Sequence, residues 1–340
     1  MCSSDLPVWV AAENTLYFSD MPADTRRRWT AAGGVEVVAS PSNKCNGTTL
    51  CMNGNQIHCE HSTSSVVVWK DGTREVIVSH YGDKELNSPN DVVVTSDGAI
   101  WFTDPPYGRW PGFGVEREAE LDFCGVYRWT KDGGLQLVVD DFNKPNGLCF
   151  SHDEKTLWIN DTEDLNIRRF SVNADGTLSG GEVLYQWPGE PVYSDGVPDG
   201  MKLDEAGNLW CTGPGGVWVI AQDGEHIGTV NSAEVVGNLC WGDDWHTLFL
   251  CTSTTVHKLP TLVAGHRSAA RVTNRSPRPR PIHAGSRYSC SIHPLPSRSR
   301  SSTIRPTTVP SRSATHTSAW PITSSAIQRR TSDASCTTGT

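Results

Sequence analysis

The chain has 340 residues, 37% of them hydrophobic, and a formal net charge of −9, which is enough to bury one large core or two smaller ones. No apolar run reaches the roughly 18 residues that span a bilayer, and the opening MCSSDLPVWV lacks a charged-then-apolar signal pattern; both predict a soluble, cytoplasmic protein without a membrane partner. Eleven cysteines without a Cys-x-x-Cys pair argue against a zinc knuckle or a thioredoxin motif, and those in apolar runs (Cys51, Cys59, Cys149, Cys211, Cys240, Cys251) read as small buried residues in a reducing compartment.

In chain order, one short β-rich run recurs: Leu16-Tyr17-Phe18-Ser19, Ile57-His58-Cys59-Glu60, Ile100-Trp101-Phe102-Thr103, Leu157-Trp158-Ile159-Asn160, Leu209-Trp210-Cys211-Thr212 and Leu248-Phe249-Leu250-Cys251. The spacings are 41, 43, 57, 52 and 39 residues. The clearest copy is the stretch at 90–108, where the β-branched Val92 to Thr95 and the run from Ile100 flank Asp97-Gly98, the turn chemistry of a hairpin. Further strand-like runs precede Asp71-Gly72, Asp132-Gly133 and Asp223-Gly224. Each unit therefore has room for about four strands, the size of a propeller blade. The expected fold is all-β: a six-bladed β-propeller over residues 1–266.

The first strand of every blade faces the central channel. Counting back ten or eleven residues from each recurring Leu or Ile gives Asp5, Asn46, Asn90, Asn146, Asp199 and Asn238. Any one of these reads as a turn residue, but six agreeing registers read as a ring of carboxylate and amide oxygens, the donors a hard cation prefers. Asp91 points to the other face of an extended backbone, and Asp104 and Asp161 read as turn caps. The loop at 105–124, with Tyr107, Trp110 and Phe113, interrupts the repeat and reads as a lid or wall over a site. His61, with no paired Cys or His, reads as structural. No Gly-x-Ser-x-Gly elbow occurs, which disfavours serine-hydrolase chemistry.

Charge divides the chain. Residues 267–340 hold twelve Arg, no Lys and one acid, Asp333, leaving 17 basic and 37 acidic residues, net −20, before them. A surface that negative repels nucleic acid and suits a cation. The tail is Ser, Thr, Arg and Pro rich without hydrophobic period, so disorder is expected there, and Arg without Lys reads as the product of a shifted frame.

Asn87-Ser88-Pro89-Asn90-Asp91, Thr103-Asp104-Pro105-Pro106-Tyr107-Gly108, Lys144-Pro145-Asn146-Gly147-Leu148 and Pro198-Asp199-Gly200-Met201 resemble the SMP-30/gluconolactonase family of six-bladed propellers. Cys59-Glu60-His61 and Gly125-Val126-Tyr127-Arg128 support this. The resemblance covers roughly 5–265 and implies a metal-dependent hydrolase opening a sugar lactone to its aldonic acid. It implies one divalent ion, Ca²⁺ first, with Mg²⁺, Mn²⁺ or Zn²⁺ as alternatives, held by Asp5, Asn90, Asn146 and Asp199. Asp199 is also implied as general base and Asn90 as a substrate contact; on the lid loop, Glu118 and Glu120 read either as solvated loop charges or as contacts to sugar hydroxyls, with Glu120 the candidate substrate contact. Where the family has Glu-Gly-Pro-Val-Trp this chain has Asp5-Leu6-Pro7-Val8-Trp9, which shortens a ligand, removes a flexible glycine and predicts weakened metal affinity. The chain starts at this motif, which predicts a truncated or mis-assigned start and an unclosed last blade with an exposed edge. Alternative readings are hydrolysis of another activated ester or phosphoester on the same ion, or an inactive, non-catalytic binding propeller.

Overall fold

The computed structural model describes residues 5–70, 72–266 and 320–321. The expectation of a disordered tail at 267–340 falls outside these residues, apart from Trp320–Pro321. Among the described residues there are six four-stranded antiparallel sheets, a two-stranded hairpin (His80–Tyr81 with Lys84–Glu85) and a single 3-10 turn, Tyr107–Arg109. Among the described residues no helix is long and apolar enough to cross a membrane.

Each recurring run forms the second strand of a blade: Thr15–Asp20, Gln56–Glu60, Ile100–Asp104, Thr156–Asp161, Leu209–Gly213 and Thr247–Thr252. The register is regular because the turns are tight. Val92 pairs with Phe102 and Val94 with Ile100, the Thr95 amide donates to Ala99 O at 3.0 Å, and Gly98 takes φ +84° at the turn. All residues of Ile100–Asp104, Leu209–Gly213 and Thr247–Thr252 are buried. These second strands are covered on both faces, which is why they read as unbroken apolar or small runs rather than alternating ones. Outer strands such as Gly34–Ala39 are largely exposed.

The core is divided among the blade interfaces. Val8 and Val10 meet Leu50 between blades one and two, while Ile57 and Val66 meet Val92 and Phe102 between two and three. Trp101 packs with Leu148 and Phe170, Trp158 with Met201 and Trp218, and Trp210 with Leu239 and Trp241 at the next three interfaces. The sixth closes the ring: Trp9 stacks on Phe249 with ring centroids 5.5 Å apart, and Leu16, Phe18 and Trp29 pack with Cys240 and Cys251. Each such side chain, fully buried, contributes about 1.5–3 kcal/mol. Side-chain packing joins blades six and one, and Trp320–Pro321 adds a short fourth strand to Thr255–Pro260.

Candidate functional site

The innermost strands are Asp5–Val10, Cys45–Leu50, Val92–Val94, Pro145–Phe150, Met201–Leu203 and Val236–Gly242. The six positions found by register stand within two residues of their starts. Close approach around the hub fixes their spacing. The Gly47 amide donates to Asn90 O at 2.8 Å and the Gly200 amide to Gly237 O at 2.9 Å, while Thr103 Oγ1 donates to Asn146 O at 2.8 Å and Asn160 Nδ2 to Asp199 O at 2.7 Å. A Cβ on Gly47 would overlap Asn90 O, and one on Gly147 would overlap Asp199 O, so the residue after the ring position must be glycine where the next blade comes this close. In blade one that residue is Leu6, buried and held at φ +37°.

Asn46, Asn90, Asn146 and Asp199 line one cavity of about 450 Å³, within the range of small-molecule sites. Its walls carry Tyr107, Trp110 and Phe113 from the long loop, as expected of a wall over a site. A second cavity of about 360 Å³, at the other ends of the inner strands around Thr49, Val94, Phe150 and Leu203, contains none of the ring residues.

The orientation of the ring amides follows from their partners. His61, buried, places Nδ1 3.2 Å from Phe113 O and Nε2 3.1 Å from Asn46 Nδ2. A carbonyl can only accept, so Nδ1 carries the hydrogen and Nε2 accepts from the Asn46 amide nitrogen. Burial drives the His61 pKa down to about 4, so the ring is neutral at pH 7 and the arrangement holds. Asn146 Nδ2 donates to Thr162 Oγ1 at 3.0 Å, which in turn donates to Pro198 O at 2.7 Å. Oδ1 of Asn46, Asn90 and Asn146 is in each case buried without a hydrogen-bond partner among the described residues. A buried amide oxygen left unpaired costs about 1–3 kcal/mol. Three of them beside the half-buried Asp199 make a site that a cation bound through oxygen would satisfy. Among the described residues no group of three or more His, Cys, Asp and Glu gathers anywhere, so the donor set here is amide oxygen plus one carboxylate, hard rather than soft in character.

Asn90, Asn146 and Asp199 are thus brought together as the sequence predicts. Asn46, found by register but not by resemblance, joins them. Asn238 does not: its Oδ1 accepts the Leu239 amide at 2.7 Å and it is absent from the cavity lining. The Asp5 backbone pairs with Ser19, and its side chain lies outside the description. Glu120 is turned elsewhere, accepting the Glu85 amide at 2.6 Å, and does not line the cavity; this loop's contribution to the wall is aromatic. The Glu118 carbonyl accepts from Arg109, and its side chain is likewise absent from the lining. The cap readings hold. Asp104 accepts the Asn87 and Ser88 amides at 2.8 and 2.7 Å, and Asp161 accepts those of Asn143, Lys144, Glu163 and Asp164 at 2.8–3.0 Å. Sequence reasoning missed Lys144, Thr162, Glu163 and Tyr193 on the cavity wall. In sequence they look like solvated turn residues, and the usable signal was the Asp161 cap that gathers two of their loops.

A family model, the SMP-30/gluconolactonase/LRE-like region, matches residues 4–254. A gluconolactonase of Zymomonas mobilis is 33% identical over 285 residues, covering 77% of this chain and 79% of that protein. The solved structure of a gluconolactonase from Xanthomonas campestris is 35% identical with a TM-score of 0.71, covering 76% of this chain and 86% of that one. A calcium-binding protein, regucalcin, from Agrobacterium tumefaciens shares the fold at 20% identity and a TM-score of 0.64, covering 79% and 93%.

Proposed function

The chain belongs to the SMP-30/gluconolactonase/LRE-like family, and from that premise we propose that it is a hydrolase that opens a sugar lactone to its aldonic acid at the propeller hub. The observation that supports this most directly is the convergence of three unpartnered amide oxygens and Asp199 on one aromatic-walled cavity, in a chain about one-third identical to gluconolactonases.

Asn90, Asn146 and Asp199, with Asp5 by its motif and Asn46 by its orientation, are the residues that would hold a divalent ion, and their hard oxygen set favours Ca²⁺. Bound there, such an ion would supply Lewis-acid polarisation of the lactone carbonyl and stabilisation of developing oxyanion charge. Asp199 accepts the proton of the attacking water as the C–O bond to the carbonyl carbon forms. Collapse then breaks the ring C–O bond, and the proton passes to the departing alkoxide, leaving hydroxyl and acid. The neutral amides of Asn90 and Asn146 fix geometry without adding negative charge. Tyr107, whose hydroxyl is buried in the same lining, is a donor for the bound lactone, and burial holds its pKa above the ordinary phenol value. The described cysteines are all free thiols, most of them buried, which supports a reducing, cytoplasmic setting.

The test is proton release from glucono-δ-lactone with chelated protein and with Ca²⁺, Mg²⁺, Mn²⁺ or Zn²⁺ restored, alongside Asp199→Ala. Turnover should require the ion and fall by about 10²–10⁴-fold in the variant. Equal turnover with and without ion, or in Asp199→Ala, overturns the mechanism.

A further inference from the structure

Glu163 lies just beyond Thr156–Asp161 and lines the cavity that contains the ring. Its Oε2 accepts Lys144 Nζ at 2.6 Å and Tyr193 Oη at 2.8 Å, while Oε1 accepts no protein hydrogen bond among the described residues. Lys144 Nζ also sits 5.4 Å above the Trp110 ring. The two loops are pinned to each other by Asp161, whose Oδ2 takes the Lys144 amide and whose Oδ1 takes the Glu163 amide. A Lys–Glu pair at a surface is ordinarily loose and of little consequence. This one is fixed at both backbones, clamped by a third group, and leaves an acceptor oxygen on a residue of the same cavity lining as Tyr107 and Trp110. The hydrogen bond from Lys144, then that from Tyr193, hold the Glu163 pKa below its ordinary value, so it stays a pure acceptor at pH 7. A ring with apolar C–H faces and adjacent hydroxyls fits that combination, whereas an unsubstituted lactone offers Glu163 nothing to accept.

We propose that Glu163, held by Lys144 and Tyr193, is the specificity-determining residue of the site: it accepts hydrogen bonds from hydroxyls on the polyol part of the lactone and selects polyhydroxylated lactones over unsubstituted ones. This rests on reading the cavity as the lactone site. The experiment compares the kcat/KM ratio of glucono-δ-lactone to δ-valerolactone in the wild type, Glu163→Gln and Tyr193→Phe, and measures D-glucitol binding to the same proteins by calorimetry. Glu163→Gln should lower the ratio by about 10- to 100-fold and Tyr193→Phe by about 3- to 10-fold, each a substitution of nearly unchanged volume. A ratio unchanged in Glu163→Gln, with both lactones hydrolysed, overturns the assignment and leaves the hydrolase reading intact. If the wild type opens neither lactone, the hydrolase reading fails and glucitol decides. Binding weakened at least tenfold in Glu163→Gln upholds the polyol contact; equal binding, or none, overturns it.

Discussion

An asparagine aimed by its nitrogen is the recurring device at the residue scale. His61 takes the Asn46 amide hydrogen and Thr162 that of Asn146, so in both the oxygen is turned toward the hub without spending charge. Asp104 works one step back, holding through the Asn87 and Ser88 amides the loop that delivers Asn90. Burial pushes its carboxyl up to about 7, against the two amide hydrogen bonds that pull it down. A raised folded-state pKa means that between about pH 4 and pH 7 the folded state keeps a proton the unfolded state has lost. Stability from this group is thus complete at low pH and lost as pH rises through 7, by at most about 1.4 kcal/mol per pH unit. Asp104→Asn should abolish that slope and leave one buried amide hydrogen facing the new Nδ2, at a cost of about 1–3 kcal/mol at pH 4. Urea unfolding at pH 4.5, 6 and 8 checks it: a wild-type advantage that fails to shrink with rising pH would refute the assignment. The ring positions could be read from the sequence because one Asp or Asn per repeat survives at constant offset. Whether an amide shows its oxygen or its nitrogen to the channel depends on partners such as His61 and Thr162, which lie 15 and 16 residues away.

Within an element, the hairpins of blades two to five carry their ring segments into contact with the next blade, and at Gly47, Gly147 and Gly200 glycine sets how close that contact is. At Gly147 the neighbouring atom is Asp199 O itself, so a methyl group there separates two ring residues. Gly147→Ala should cost about 1–3 kcal/mol by overpacking and weaken metal binding at the hub. Gly98→Ala, at φ +84° with open space around it, is the control: it should cost about 1 kcal/mol in backbone strain and leave metal affinity alone. Calorimetric titration with Ca²⁺ separates the two, and equal affinities would show that the inter-blade approach does not position the ring. Leu6 shows the same constraint from the other side. In blade one the side chain at this place sits on a backbone at φ +37°. The Gly-to-Leu change could be seen in the sequence, but not how the backbone absorbs it.

Six interfaces of similar make-up mean that the molecule is as stable as its ring is closed. Blades six and one meet through Trp9, Trp29 and Phe249, with Trp29 tilted 57° to Phe249 at 5.8 Å. Phe249→Ala removes the central ring of that contact and should cost about 3–5 kcal/mol. For a domain of this size that is a fall of roughly 10 °C in Tm. Because each blade buries its second strand against both neighbours, unfolding should remain one transition; a separate early transition in differential scanning calorimetry would show that blades one and six unfold apart from the rest.

The sequence by itself determined the number of blades, the strand that repeats and the oxygen-bearing ring, because these are local patterns of β-branched runs, tight turns and one polar residue at a fixed offset. It also carried the family, through motifs that span the hub. Only the tertiary structure decided which ring members share a cavity, since Asn46 enters it and Asn238 does not. It likewise decided that the long loop contributes aromatic rings and not Glu120, and that Lys144, Glu163 and Tyr193 stand together on one wall. These last are contacts between residues 19 and 30 positions apart, made by loops whose composition is that of any solvated turn, so their meeting is fixed by how the blades pack around the axis and by the Asp161 carboxylate that ties two of the loops together.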